Sequence, residues 1–487
     1  MQNLGGPKMT AKPRLCYVVS FALSAGILFI NALAEDAPKY EPTVLSLRQH
    51  RIPDWYEDAK LGIFIHWGLY SVPGWAPPTG ELGKVDPEEW FKNNPYSEWY
   101  LNTMKIKDSP TWNYHVKTYG ENFTYLDFVP TFNKEVKKWK PEQWAELFWG
   151  TGAKYVVLTA KHHDGFTLWP SRINNPHRRI DQQGSERDLV GELTQAVHKL
   201  GLRMGLYYSG GLDWSFYDPP ITNMRELFST VQQSDEFVKY VDAHWRELIE
   251  RYQPDILWND ISYPRNGDAM GIFSEYYNRF PEGVINNRWG VEFADFTTPE
   301  YETYNQITPQ KWEATRGIGF SFGYNRAEGP EHMLSVDKLV DMLVDIVSKN
   351  GNLLLDVGPQ ANGTISTLQV ERLRGLGRWL GINGEAIFGS RPWVKAEGKT
   401  AEGINLRFTK KGDSVYAILL TKPRKLDITF PDLIVDEKTK IELLGSQAVI
   451  TWTQHKRNLT VHLKSPLPES EAHILKITPK PWKLLKE

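Results

Sequence analysis

Cysteine is almost absent from this chain, since Cys16 is the only one among 487 residues. Cys16 lies in an N-terminal stretch that we predict to be removed, which leaves no thiol nucleophile, no thiolate ligand for a metal and no disulfide. We also expect no serine nucleophile, because we recognise no G-x-S-x-G elbow and a serine needs its own base within reach. Stability must therefore come from the burial of apolar side chains.

Neither sign of charge dominates the chain. It contains 57 Lys and Arg against 59 Asp and Glu, and its isoelectric point is near 6.7. We find no basic stripe with interleaved aromatic residues, which is the pattern typical of nucleic-acid binding. A nearly neutral protein also has no long-range field that would attract a polyanion. We therefore expect no nucleic-acid partner.

Long hydrophobic runs are also scarce, and the run that stands out extends from Leu15 to Ile30. It is shorter than the roughly 20 residues that a membrane-spanning helix needs. Basic residues precede it and the small-x-small triplet Ala32-Leu33-Ala34 follows it, as in a secretory signal. We predict a signal peptide over residues 1–34 and a mature chain that begins at Glu35. We expect export to the periplasm or the medium, without stable membrane insertion after cleavage; an uncleaved anchor is the alternative.

Aromatic residues, in contrast, are plentiful, with 19 Trp, 22 Tyr and 21 Phe. Such a surplus fits a large apolar core. It also suits sugar binding, because the apolar face of a pyranose packs on an aromatic ring. Composition alone favours the core.

From about residue 55 to residue 385, short apolar runs alternate with amphipathic stretches, which is the pattern of repeated strand and helix units. The strand candidates are Gly62–His66, Tyr155–Ala160, Arg203–Tyr208, Ile256–Asp260, Val284–Asn287, Gly319–Tyr324 and Leu353–Val357, with an eighth near Tyr301–Tyr304. This pattern predicts an α/β fold, a (β/α)8-like TIM barrel of parallel strands over residues 35–389.

After about residue 390 the pattern changes. Apolar and polar residues alternate at a period near two, and signals for helices vanish. The alternating sets are Ile404-Leu406-Phe408, Val415-Ala417-Leu419, Leu426-Ile428-Phe430 and Val449–Trp452. We predict a C-terminal antiparallel β-sandwich over residues 390–487.

Polar residues follow five of the predicted strands at their carboxyl ends. They are His66-Trp67, His162-His163-Asp164, Tyr207-Tyr208, Asp260 and Asn287-Arg288-Trp289, and loops add Glu98-Trp99, Trp169, Asp213-Trp214 and Glu300. Because the carboxyl ends of barrel strands converge on one face, we expect these side chains to share a pocket. Imidazoles, phenols, an arginine and indoles around a carboxylate suit a neutral polyhydroxylated ligand.

Metal-dependent hydrolysis is the rival interpretation, because the set also contains residue types that bind metals. These are His66, His162, His163, Asp164 and Asp260. Adjacent histidines on a strand point to opposite faces, so His162 and His163 would not bind one ion together while both keep strand geometry. We therefore expect no metal site.

Hydrolysis of a sugar linkage needs two carboxylates, one to attack or to activate water and one to protonate the leaving oxygen. Asp260 is the candidate for the first role. Its partner must come from a loop, and spacing alone does not choose among Glu98, Glu300, Glu302 and Glu313.

Several segments of the chain, taken together, resemble the α-L-fucosidases of glycoside hydrolase family 29. They are Leu61–Ser71 (LGIFIHWGLYS), Lys161–Trp169 (KHHDGFTLW), Tyr207–Trp214 (YYSGGLDW), Asp255–Asp260 (DILWND), Arg316–Asn325 (RGIGFSFGYN) and Asn352–Pro359 (NLLLDVGP). The resemblance covers roughly residues 40–390, with a matching β-domain behind. The sequence is most similar to the bacterial thermophile-type branch, given LWND in the fourth strand and Thr298-Pro299-Glu300-Tyr301 after Arg288-Trp289-Gly290.

The resemblance implies an exo-acting, retaining enzyme that releases terminal α-L-fucose from glycans or glycoconjugates without a metal or organic cofactor. Its nucleophile corresponds to Asp260 and its acid/base to Glu300, with Glu98 and Glu313 as alternatives. The residues that correspond to its sugar-binding side chains are His66, Glu98, Trp99, His162, His163, Tyr207 and Arg288. Retention predicts that the two carboxyl groups lie about 5–5.5 Å apart. We also expect Trp67 and Trp289 to wall the apolar side of the sugar.

A second class of function is an exported fucose-binding protein whose barrel is catalytically dead. Loss of Asp260 or disruption of the HHDG segment would favour it, and both are intact. Assembly of the chain into a homo-oligomer is compatible with the sequence, which contains no feature that decides it.

Overall fold

A ring of parallel strands forms the centre of the first domain. The computed structural model describes residues 39–481, so the predicted signal peptide lies outside the described residues. The strands are β1 (Leu61–Ile65), β2 (Tyr155–Lys161), β3 (Arg203–Ser209), β4 (Ile256–Asp260), β5 (Val284–Ile285), β6 (Trp312–Gly317) and β7 (Gly351–Val357). Their order in the sheet is β5-β4-β3-β2-β1-β7-β6, with every pair parallel. The predicted barrel-like fold is therefore confirmed.

An irregular segment occupies the eighth position of the ring, between β5 and β6. The Asp295 amide donates to the Ile285 carbonyl on one side, and the Glu313 amide donates to the Thr297 carbonyl on the other. The Thr315 amide donates to the carbonyl of Pro299. Pro299 itself has no N–H to contribute to a ladder, which explains why no regular strand forms there.

Two strand predictions were wrong. No strand spans Tyr301–Tyr304, because the eighth position is filled a few residues earlier by the irregular segment. Gly319–Tyr324 is a loop, and the strand β6 precedes it. The β6 sequence carries Glu313 and Arg316, which break the apolar pattern by which the other buried strands were recognised.

Helices surround the ring. The longer ones are Pro110–Tyr119, Pro141–Thr151, Leu189–Lys199, Asp235–Tyr252, Ala269–Arg279, Val336–Ser348 and Thr367–Asn383, and the shorter ones are Val44–Leu47, Asp54–Ala59, Pro87–Trp90, Tyr100–Thr103, Val129–Glu135 and Met224–Ser229. Two of them begin at residues that favour helix starts: Pro141 is the first residue of its helix, and the Ser234 hydroxyl accepts from the Phe237 amide. Within residues 39–481, none of these helices combines the length and apolarity needed to cross a bilayer.

Eight antiparallel strands follow the barrel. They are β8 (Arg391–Lys399), β9 (Asn405–Lys411), β10 (Ser414–Leu419), β11 (Asp427–Phe430), β12 (Lys440–Leu443), β13 (Thr451–His455), β14 (Asn458–His462) and β15 (His473–Thr478). They form one sheet of order β12-β15-β10-β9-β8 and another of order β11-β14-β13. Leu406, Phe408, Val415 and Ile428 lie in their shared apolar core, where the period of two placed them, although Leu426 and Val449 are exposed.

Candidate active site

A cleft of about 610 Å³ opens at the carboxyl ends of the barrel strands. All nine site residues predicted from the sequence line it: His66, Glu98, Trp99, His162, His163, Tyr207, Asp260, Arg288 and Glu300. They come from the ends of β1 to β5 and from the loops that follow these strands. The structure therefore brings together residues that are up to 234 positions apart in the chain.

Asp260 is the last residue of β4, and its side chain is held from two directions. The Tyr207 hydroxyl donates to Oδ2 across 2.8 Å, and the Arg288 guanidinium donates to Oδ1 from Nη1 across 3.0 Å. The residue is 7% exposed. The carboxylate is thus fixed in orientation while one edge of it remains open to the cleft.

Arg288 connects Asp260 to the second candidate carboxylate. Its Nη2 donates to Glu300 Oε2 across 3.0 Å, and its Nε donates to the hydroxyl of Thr298 across 2.9 Å. The guanidinium also lies over the Trp258 ring, 4.9 Å from the ring centre. The two carboxylates raise the pKa of Arg288 further, against the effect of burial. One permanently charged side chain therefore sits between the two acids.

Glu300 lies at the outer side of this arrangement. Its Oε1 accepts from the Tyr96 hydroxyl across 3.0 Å, and its side chain is 22% exposed. It follows directly on the irregular eighth segment of the ring, where its backbone bridges to Thr315 of β6. A group bound deep in the cleft would therefore meet Glu300 on the side that faces the opening.

Glu98 is buried more deeply, at 1% exposure. Its Oε2 accepts from the Gly323 amide across 2.8 Å, while its Oε1 has no partner within the described residues. Burial raises the pKa of Glu98 to about 7, against the opposing effect of the Gly323 hydrogen bond. Near neutral pH this carboxyl group can therefore both donate and accept a hydrogen bond, which suits contact with a sugar hydroxyl.

His66 is held from behind by an acid on the neighbouring strand β7. Its Nδ1 lies 2.6 Å from Asp356 Oδ1, and Asp356 is completely buried. Burial lowers the pKa of His66 well below its usual value and raises that of Asp356 well above its own. The pair therefore shares one proton, and Nε2 of His66 is left for a ligand.

His163 is oriented in a similar way by Ser209. The Ser209 hydroxyl donates to the Leu212 carbonyl across 2.6 Å, so its oxygen accepts from His163 Nδ1 across 2.6 Å. The remaining nitrogen, Nε2, lies 4.0 Å from Asp260 Oδ2. Burial lowers the pKa of His163 well below its usual value. The neutral ring then presents an acceptor to the cleft.

His162 also lines the cleft, although adjacent strand residues were expected to face opposite ways. The strand β2 ends at Lys161, so both histidines lie beyond the strand, and their ring centres are 4.0 Å apart. Asp164 points elsewhere, because its carboxylate accepts from the Tyr125 hydroxyl and the Phe166 amide. Among residues 39–481, no group of three or more His, Cys, Asp or Glu side chains is arranged to hold a metal ion.

Trp67 and Trp289, the tryptophans expected to wall the ligand, do not line the cleft. Trp67 packs against Trp139 and Trp144, and Trp289 packs against Trp245 and other aromatic residues. Both are core residues at 1% exposure. These two indoles therefore belong to the core, which is the use that composition alone favoured.

The aromatic side chains that do line the cleft include Phe64, Tyr96, Trp258 and Phe322, which sequence reasoning missed. For two of them, the spacing in the sequence could have predicted a place in the cleft. Phe64 is two residues before His66 and Trp258 is two residues before Asp260, and residues i and i+2 of a strand share a face. Phe322 and Tyr96 lie in loops, where no such rule applies.

The other candidate acids lie outside the cleft. Glu313 is fully buried within the barrel, where it accepts from the hydroxyls of Tyr56 and Tyr155 and from the indole of Trp258. Glu302 is exposed and does not line the cleft. Of the four glutamates left open by spacing, Glu98 and Glu300 are the two that a ligand in this cleft can meet.

The expectation that the chain lacks a G-x-S-x-G segment was wrong, since Gly319–Gly323 has that spacing. The segment is a loop after β6 rather than a strand-to-helix turn. The Ser321 hydroxyl donates to the Gly323 carbonyl across 2.9 Å and lies 3.3 Å from Glu98 Oε2. Its hydrogen bonds within the described part of the chain involve no histidine, and it is 2% exposed. Ser321 therefore supports the Glu98 loop, and within the described residues no histidine is placed to activate it as a nucleophile.

The chain matches two family models that cover most of its length. Residues 27–385 match the model described as alpha-L-fucosidase, and residues 400–478 match the alpha-L-fucosidase C-terminal domain. Among curated proteins, the tissue alpha-L-fucosidase of Homo sapiens is 34% identical over 94% of this chain and 97% of its own.

Solved structures give the same result. A Thermotoga maritima alpha-L-fucosynthase in complex with alpha-L-Fuc-(1-2)-beta-L-Fuc-N3 is 47% identical, with a TM-score of 0.84 over 91% of this chain and 100% of its own. The Thermotoga maritima alpha-fucosidase in complex with fucose is 46% identical, with a TM-score of 0.82 over 90% of this chain and 100% of its own. The identity to the bacterial proteins exceeds that to the human one, in agreement with the predicted branch. This chain belongs to the alpha-L-fucosidase family and is a glycoside hydrolase.

Proposed function

We propose that this enzyme removes terminal α-linked L-fucose with retention of configuration, through a covalent fucosyl-enzyme intermediate. Asp260 is the nucleophile and Glu300 is the acid/base. The observation that carries the proposal is the Arg288 guanidinium, which donates to both carboxylates across 3.0 Å each. A shared guanidinium keeps the two acids close together, as a double displacement requires.

In the first step, Asp260 attacks the anomeric carbon, and the bond from that carbon to the leaving oxygen breaks. Glu300 gives its proton to the leaving oxygen, and a fucosyl ester of Asp260 forms. In the second step, Glu300 takes a proton from water, and the water oxygen replaces Asp260 at the same carbon. The hydrogen bonds from Tyr207 and Arg288 keep the Asp260 carboxylate aimed at the sugar during both steps.

The closed end of the cleft supports an exo mode of action. His66, Glu98, His162 and His163 are each 5% exposed or less, so this end offers room for a terminal sugar and no exit for a continuing chain. Among residues 39–481, no group lies at hydrogen-bond distance from His66 Nε2, His163 Nε2 or Glu98 Oε1 and would compete for a hydroxyl group. These groups would bind the ring hydroxyls of fucose.

Burial distinguishes Glu300 from Glu98 as the acid/base. The acid must touch the oxygen that leaves together with the rest of the substrate, and that oxygen faces the opening of the cleft. Glu300 is 22% exposed in its side chain, whereas Glu98 is 1% exposed and bonded to the Gly323 amide. Glu98 therefore contacts the sugar, and Glu300 contacts the bond that breaks.

Activity on 4-nitrophenyl α-L-fucoside, with the configuration of the first-formed fucose followed by NMR, tests the reaction. Release of α-L-fucose first supports retention, and release of β-L-fucose first overturns it. Absence of any fucose release would favour the fucose-binding alternative.

Glu300→Ala, Glu98→Ala and Glu313→Ala test the assignment of the acid/base. Glu300→Ala should lose much more rate on a fucoside with a poor leaving group than on one with a good leaving group, and azide should restore part of the rate with formation of fucosyl azide. Glu98→Ala should lose rate on both substrates alike. The assignment is wrong if azide rescues Glu98→Ala or Glu313→Ala instead.

We also propose that the enzyme is exported, on the strength of the signal pattern in residues 1–34. N-terminal sequencing of the protein isolated from its source tests this directly. A chain that begins at Glu35 in the periplasm or the medium supports export. A chain that retains Met1 and stays in the cytoplasm overturns it.

A further inference from the structure

Part of the lining of the active-site cleft consists of uncharged, apolar side chains. Its residues are Leu82, Trp90, Phe91, Met224, Leu227 and Phe228, and we call this set the apolar wall. The last three belong to the short helix Met224–Ser229. All six residues line the same cleft as Asp260 and Glu300, so the apolar wall is continuous with the catalytic site.

Two residues of the apolar wall are exposed to solvent, whereas Trp90, Phe91 and Leu227 are buried. Met224 is 47% exposed and Phe228 is 64% exposed. Of the large hydrophobic residues that are exposed within residues 39–481, these two lie on the cleft and the others lie elsewhere. Apolar side chains left in water at the rim of a binding cleft gain free energy when a ligand covers them.

The apolar wall also reaches the acid/base. The Trp90 ring packs edge-on against Tyr96, with ring centres 5.1 Å apart, and the Tyr96 hydroxyl donates to Glu300 across 3.0 Å. Glu300 must touch the leaving oxygen, so the group attached to that oxygen emerges beside Tyr96 and Trp90. The wall therefore lies where the leaving group has to pass.

The two ends of the cleft offer different chemistry. The deep end presents His66, His162, His163 and Glu98, which bind hydroxyl groups. The apolar wall presents no charge and few polar atoms. A cleft of about 610 Å³ is also larger than one sugar ring requires, and it falls within the range of sites for ligands of drug size.

We propose that the apolar wall is a leaving-group subsite that selects fucosides whose leaving group is apolar, an aryl or alkyl aglycone, over those with a small or strongly polar leaving group. This inference rests on the proposed function, because it requires that Glu300 protonates the leaving oxygen. The aglycone lies against Phe228 and Met224 while fucose occupies the deep end.

The test compares octyl α-L-fucoside with methyl α-L-fucoside, which have the same sugar and similar leaving-group chemistry. For Phe228→Ala and for the Met224→Ala/Phe228→Ala double variant, the ratio of kcat/KM for octyl over methyl fucoside should fall at least fivefold from the value for the unmodified enzyme. The side chains are exposed, so their truncation costs little stability. Ile180→Ala, at another exposed apolar residue (74% exposed) outside the cleft, is the matched control and should keep the ratio.

Either of two results would overturn the subsite. One is an equal change of kcat/KM for both fucosides, which indicates a general effect on the enzyme. The other is an unchanged ratio in the double variant. Binding of octyl fucoside and of L-fucose to Asp260→Asn, measured by calorimetry, gives a second readout without turnover: the octyl compound should bind more tightly, and Phe228→Ala should remove the difference. If the enzyme releases no fucose from any fucoside, the proposed function fails, and the calorimetric difference still decides whether the apolar wall binds the alkyl chain.

Discussion

Arg288 and Asp260 are joined by a hydrogen bond of 3.0 Å, and the same guanidinium donates to Glu300 from its other amino group. The planar fork of arginine suits two acceptors at once, and lysine carries a single ammonium group. Arg288 is therefore the side chain that sets the two carboxylates relative to each other.

Replacement of Arg288 by lysine should remove the guanidinium that bridges Asp260 and Glu300. We expect Arg288→Lys to lower kcat/KM on an aryl fucoside by roughly 100- to 1000-fold, the size typical for loss of a preorganised donor. Steady-state kinetics measure the effect. Arg246→Lys, at a partly exposed arginine that pairs with Glu275 on the outer helices, is the control and should retain activity. Near-normal activity of Arg288→Lys would contradict the bridging role.

Tyr207 and Tyr208 are neighbours on β3 with opposite surroundings. The Tyr207 hydroxyl donates to Asp260, and the Tyr208 hydroxyl is 3.0 Å from His244 Nδ1 on a surrounding helix. A hydrogen bond to a charged group is worth about 1.5–3 kcal/mol, so we expect Tyr207→Phe to lower kcat by roughly 10- to 100-fold. Tyr208→Phe should lower the melting temperature and leave kcat within about twofold. Equal losses of kcat in the two variants would show that the effect is general.

Glu98 should make the stability of the protein depend on pH. Its pKa of about 7 in the folded state exceeds the ordinary value of 4.5, so the folded protein holds a proton that the unfolded chain releases between these pH values. The free energy of unfolding therefore falls as pH rises from 4.5 to 7, by about 3 kcal/mol at most from this group.

Glu98→Gln should remove that contribution. Urea unfolding at pH 5, 6, 7 and 8 measures this contribution. As pH rises to 7, the free energy of unfolding of the variant should increase relative to that of the unmodified protein. Above pH 7 the difference between the two free energies should stay constant. Glu328→Gln is a matched control, because burial raises the pKa of Glu328 to about 8 and its gain should continue to higher pH. A difference for Glu98→Gln that does not vary with pH would contradict the assigned protonation.

Glu313 should matter for stability rather than for chemistry. Its carboxyl group accepts from two tyrosine hydroxyls and the Trp258 indole in a fully buried position. Glu313→Gln replaces one acceptor oxygen by a donor, and we expect a loss of about 1–3 kcal/mol in the free energy of unfolding. Denaturant titration measures the loss. Stability equal to that of the unmodified protein would mean that the buried donors find other partners.

Much of the fold follows from local patterns. Apolar runs of strand length located β1 to β5 and β7, and the change to a period of two located the C-terminal strands. The strand β6 was missed because the barrel interior accepts Glu313, whose carboxyl group is hydrogen-bonded to donors from distant segments. No pattern within β6 itself could show those donors.

The candidate site likewise contains residues whose positions follow from local patterns and residues whose positions do not. Asp260 and His66 are at or next to strand ends and Tyr207 is two residues before one, and the carboxyl ends of all strands in a parallel barrel lie on the same face. Glu300 and Glu98 come from loops, whose positions depend on contacts such as Tyr96 to Glu300 and Gly323 to Glu98. In the sequence, Trp67 and Trp289 were equally good candidates for the cleft, but in the structure both pack in the core.

By itself, the sequence determined six of the seven barrel strands, the face on which the polar strand ends gather, and the family to which the chain belongs. Only the tertiary structure decided which glutamate of four shares Arg288 with Asp260, and which aromatic rings form the apolar wall. The physical reason is that strand geometry repeats every two residues and is readable locally. The orientation of a loop side chain is set by hydrogen bonds and packing with residues hundreds of positions away.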